Sequence, residues 1–138
     1  MSRVLRMSLG CLLAIAIVAS PAVAASSVVK ASSGPLTATL SPPPHSPKVG
    51  SKPPITVTAT LNGKPAKQAT AFYEFLFAGQ VVSTQYIRGN KHFTFNGHFG
   101  DTLGPFPATA AGQPLTFRVV VKAGGRTVNL NWALSVVQ

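Results

Sequence analysis

Residues 127–136 constrain this chain more than any other stretch. Val128, Leu130, Trp132, Leu134 and Val136 alternate with Thr127, Asn129, Asn131 and Ser135. Successive side chains of a strand point to opposite faces, so this pattern gives one apolar and one polar face. Wound into a helix, the same residues would spread their apolar side chains around every side. A strand of this kind must bury its apolar face against a second layer.

The pattern recurs. Ile55, Val57, Ala59 and Leu61 alternate with Thr56, Thr58 and Thr60, and Asn62-Gly63 follows as a turn pair that tolerates positive φ. Residues 71–77 carry Tyr73, Phe75 and Phe77 on one side and Phe72, Glu74 and Leu76 on the other. Ala78-Gly79-Gln80 turns the chain into residues 81–87, and Arg88-Gly89-Asn90-Lys91 turns it again into residues 92–103. Residues 92–103 read as one strand, because that phase keeps Phe93, Phe95 and Phe99 together. Leu115, Phe117, Val119 and Val121 face one way, with Thr116, Arg118 and Lys122 the other. No segment holds a helical period over three turns. The prediction is an all-β fold, a two-layer sandwich of about seven antiparallel strands.

The chain opens with the marks of an export signal at residues 1–24. Arg3 and Arg6 precede a short apolar run, Pro21 breaks it, and Ala22-Val23-Ala24 supplies a small-x-small cleavage pattern. The run is too short for an ordinary membrane span, so no stable membrane insertion is expected after cleavage, and the protein is expected to be secreted or held at the cell surface. Cys11 lacks the residues that a lipid-attachment site requires before it. Residues 25–54 read as a flexible Ser/Pro-rich lead-in with an edge strand at residues 36–40, and residues 55–138 as the sandwich core.

Removal of residues 1–24 takes away Cys11, Met1 and Met7, the only residues of their types. No disulfide then forms, so a packed core must supply the stability. Ten bases remain against two acids, Glu74 and Asp101, a net charge of +8. That balance favours anionic partners.

The Gly112–Val121 passage (Gly-Gln-Pro-Leu-Thr-Phe-Arg-Val-Val-Val) and the run Val49-Gly50, Ile55-Thr56-Val57-Thr58, Asn62-Gly63-Lys64-Pro65 resemble bacterial immunoglobulin-like domains of secreted Gram-positive proteins. The resemblance implies an immunoglobulin-like sandwich. The chain departs from antibody-type domains: it has no Cys pair, its Trp lies in the last strand, and no corner Tyr precedes the penultimate one. A fold of this kind carries no function with it.

The side chains present exclude most chemistries. His92, His98 and Asp101 are the nearest approach to a metal-ligand set, but one strand would hold the two imidazoles roughly 20 Å apart. No metal or other cofactor is expected. Copper handling, a remote alternative, wants soft Met or Cys ligands that the processed chain lacks. Ser83 and Thr84 have no neighbouring His base, no Gly-x-Ser-x-Gly elbow exists, and an enzyme is not expected. Glu74 is expected to pair with Arg118 across two strands.

Surface recognition remains. Phe72, Leu76 and Val120, with Glu74 and Arg118, form a candidate interaction face on the outer side of a sheet. Such a module is expected to bind a cell-wall polymer or an envelope protein. The alternative is charge-driven binding of anionic surfaces (wall polymer, lipid headgroup, nucleic acid) through a patch of Lys48, Lys52, Lys64 and Lys67. Nucleic acid is the weakest of these, since most aromatics are phased into the core and only Tyr86 and Phe72 look free.

Overall fold

The computed structural model describes residues 27–138. The expected signal segment, residues 1–24, lies outside the described residues. Ten strand segments form two antiparallel five-stranded sheets that pack face to face as a β-sandwich. One sheet holds β1 (Val29–Ser33), β2 (Leu36–Ser41), β3 (Pro54–Leu61), the two-residue β4 (Lys64–Pro65) and β8 (His98–Thr102). The other runs β10 (Arg126–Leu134), β9 (Leu115–Ala123), β5 (Ala69–Phe77), β6 (Gln80–Gln85), with β7 (Phe93–Phe95) also paired to β5. A single 3-10 turn, Ala108–Ala110, interrupts the long connection before β9.

The alternations set this architecture. Ile55, Val57 and Ala59 of β3, Phe117, Val119 and Val121 of β9, and Val128, Leu130, Trp132 and Leu134 of β10 all turn inward and are buried. An aromatic row runs through the core. Phe117 lies 5.0 Å from Tyr73, 5.1 Å from Phe75 and 6.4 Å from Trp132 between ring centroids, and Phe75 meets Phe106 edge-on at 6.1 Å. These separations suit edge-to-face contact, which adds roughly 0.5–1.5 kcal/mol per pair beyond area burial.

The strand count exceeds the expected seven, and two sequence expectations change. Residues 36–40 form no edge strand. β2 is an interior strand, flanked by β1 and β3, with Leu36, Ala38 and Leu40 fully buried. The sandwich therefore begins at β1 and not at Ile55. Residues 42–53 contain no strand but are tied down: the Val49 amide donates to the Val137 carbonyl at 2.9 Å, and Gly50 to that of Phe106 at 2.8 Å. β2 is interior because β1, poor in apolar residues, still pairs with it along five residues.

Residues 92–103 are likewise two strands in different sheets. β7 pairs with β5 and β8 with β3. The chain crosses between layers at Asn96-Gly97, where the Asn96 side-chain oxygen accepts from the Gln68 amide at 2.9 Å. Gly97 has φ +77°, and a Cβ there would lie 2.8 Å from that of Pro65, so only glycine fits the corner. Crossing the core lets Phe95 and Phe99 meet at 4.7 Å from opposite layers, which neither a single strand nor a hairpin allows.

One polar contact ties the layers together inside. The Tyr73 hydroxyl on β5 donates to Asp101 Oδ2 on β8 at 3.2 Å. Burial, reinforced by the Asp101 carboxylate, holds the phenol well above its ordinary value of 10.0. The unfolded chain releases this proton near that value while the folded chain keeps it, so the native state binds more protons and stability falls as pH rises past about 10. Tyr73→Phe is expected to cost about 1 kcal/mol at neutral pH and to flatten this alkaline decline, as read by denaturant unfolding at several pH values. Phe117→Ala, which removes the centre of the aromatic row, should cost about 3–5 kcal/mol in the same measurement.

Candidate functional site

The expected face on the outer side of the β10-β9-β5-β6 sheet is assembled as registered: Phe72 lies opposite Val120, and Glu74 opposite Arg118. The Glu74–Arg118 pair forms at 3.5 Å, and Arg118 Nε also donates to Asn131 at 2.8 Å. The apolar members offer little surface, however. Leu76 and Val120 are 4% and 6% exposed, and half-buried Phe72 has the His92 ring at 5.1 Å and the Lys122 ammonium at 5.8 Å from its centroid. Neighbours within the sheet cover the apolar residues on this face: Leu76 is registered between Thr116 and Val81, and Val120 between Phe72 and Asn129.

The four lysines do not form one patch. Lys64 follows the Leu61 end of β3 and Lys67 the turn after it, whereas Lys48 and Lys52 precede its Pro54 end. Eight strand residues, about 26 Å, separate the two pairs.

His92, His98 and Asp101 take up separate posts. His92 packs on Phe72, His98 on β8 is exposed opposite Thr58 of β3, and Asp101 turns inward to Tyr73. Among the described residues no three His, Cys, Asp or Glu side chains gather as a metal site would require. No helix among them is long and apolar enough to cross a membrane.

A concavity lies elsewhere, at the end of the sandwich where β5 turns into β6. An open groove of about 520 Å³ runs between this hairpin and the connection that leads to β9. Phe75 and Phe106, the end of the aromatic row, line it together with Phe77 and Val82, and Thr109 and Gln113 stand on the far wall. The volume falls within the range of small-ligand sites, as does a chiefly apolar lining with a few polar groups. No charged side chain lines it. Phe77 and Val82 remain 41% and 57% exposed at the rim.

Local devices shape the groove. β6 carries one extra residue, because Ser83 pairs with Phe75 and Val81 with Leu76, which leaves Val82 as a bulge. A bulge re-aims the side chain that it displaces, here onto the groove rim. The far wall is held by Gln85. Its Nε2 donates to the Thr102 carbonyl at 3.1 Å, and its Oε1 accepts from the Gly104 amide at 2.9 Å. Gly104 has φ +85°, and a Cβ there would meet the Ser51 carbonyl oxygen at 2.6 Å, so the wall packs directly on the Pro-rich segment.

Sequence reasoning missed this site because its walls come from segments about thirty residues apart. The one local signal was the absence of charge between Glu74 and Arg88 in so basic a chain. Comparison with protein-family models, with curated proteins and with solved structures yields no match for this chain.

Gln85→Ala is expected to loosen the wall at a cost of about 1–3 kcal/mol. Hydrogen exchange at the Gly104 amide should accelerate by at least about tenfold, while exchange in β9 stays near its original rate.

Proposed function

We propose that this protein is an exported, non-catalytic immunoglobulin-like binding module of the cell envelope, and that it engages an apolar group of an envelope component through the groove beside β6. The strand order β10-β9-β5-β6 against β2-β3-β8 supports the immunoglobulin-like assignment, since it corresponds to the two-sheet arrangement of that fold. The N-terminal signal pattern supports export. The observation that carries the binding role is the groove itself: apolar, uncharged and rimmed by exposed Phe77 and Val82. Water-exposed apolar surface concentrated at one end of a small domain marks a contact site. Side chains that would drive a reaction are not gathered there.

A charge-driven role would need the lysines to act together, and their division between opposite ends leaves it without a single surface.

A neutral apolar dye, Nile red, tests the groove. The native protein is expected to bind it with little dependence on salt, because no ion pair is involved. Thr109→Trp, which fills the groove from an exposed loop, should weaken binding by about tenfold or more, whereas Lys64→Glu/Lys67→Glu should leave it unchanged. Equal binding by wild type and Thr109→Trp, with both folded by circular dichroism, would show that the groove is not the site.

A further inference from the structure

The groove end of the sandwich has an apolar side and a basic flank. The wall segment around Gly104 and Phe106 is apolar on the groove side, and on its other side it packs against residues 48–52. The Gly50 amide donates to the Phe106 carbonyl at 2.8 Å, and the Ser51 carbonyl oxygen lies against Gly104. Lys48 and Lys52 bracket that contact, and both are exposed. The sole salt bridge among the described residues joins Glu74 to Arg118, so neither ammonium is neutralised. The nearest acidic side chain along the sheet, Asp101, points inward to Tyr73 and does not offset them. An uncharged apolar trough thus lies on one side of the Gly104–Phe106 wall, and the segment carrying two exposed lysines outside any salt bridge packs on the other.

From this arrangement we infer that the groove holds the tail of a single-chain anionic amphiphile, a long-chain carboxylate, whose head group meets Lys48 and Lys52 across the Gly104–Phe106 wall. The inference rests on the groove being the binding site, as proposed above, and adds the ligand class. The tail satisfies the lining: Phe75, Phe77, Val82 and Phe106 offer contact area and no ionic partner. The head satisfies the flank, since an anion placed there gains attraction without having to be buried. A neutral head on the same tail would forgo that attraction, and a cationic one would meet repulsion in a chain of net charge +8 once residues 1–24 are removed. Charge complementarity therefore selects among amphiphiles that the apolar groove alone would accept equally.

The test uses the processed chain with its signal segment removed, with dodecanoate kept below the concentration at which it forms micelles. Dodecyltrimethylammonium is the probe with the same tail and opposite charge. Dodecanoate should saturate at one molecule per chain and perturb the backbone amide resonances of Phe77, Val82 and Thr109. Its affinity should exceed that of the cationic probe by about tenfold or more, and should fall by about tenfold in Lys48→Glu/Lys52→Glu. Both lysines are exposed and unpaired, so the double variant is expected to fold; Lys64→Glu/Lys67→Glu serves as the charge-matched control. If both probes bind alike, or the double variant matches wild type, the ligand class is wrong while the groove remains a binding site. If neither probe binds and Nile red is also refused, the proposed site fails with it. If vesicles of anionic phospholipid capture the protein while monomeric dodecanoate does not bind, the surface docks on a membrane and the single-chain assignment is overturned.

Discussion

Phe117 is the residue on which this sandwich converges. Its ring meets Tyr73 and Phe75 of β5 and Trp132 of β10, so the two strands that flank β9 fix their inner faces against a single side chain. A chain with one cysteine can close no intrachain disulfide, so apolar burial must supply the stability that covalent staples give to other small domains. The row of aromatics does not end inside the core. It passes through Phe75 to Phe106 and comes out at the groove, where Phe77 is already partly in water. The groove is the point at which the core runs out of chain to cover it.

Much of this was legible in the alternation of side chains. β3 and β10 follow period-two runs, and a one-residue error in phase would have turned their apolar faces to water. The Glu74–Arg118 pair was legible for the same reason: neighbouring strands in register bring outward residues together at predictable positions. The two-sheet architecture followed from the need to cover several one-sided strands.

What was not legible depended on pairing between distant segments. The spacing of Phe93, Phe95 and Phe99 fits one continuous strand as well as two short ones, and only the anchoring of Asn96-Gly97 against Gln68 and Pro65 decides for a crossing between layers. Residues 29–33 carry little apolar content of their own and become a strand because β2 offers an edge to pair with. The lysines of the expected basic patch are near one another in sequence, but the length of β3 separates them in space. Single-residue features such as the Val82 bulge leave no trace in a hydropathy pattern.

Gln85 links two parts of the molecule that are usually treated separately. Its amide clasps the edge strand to the opposite wall through both its donor and its acceptor, so the groove cannot widen without prying the end of β6 from the Gly104 loop. A guest that forced the walls apart at that end would have to break both hydrogen bonds first, so its entry and the fraying of an edge strand become one event.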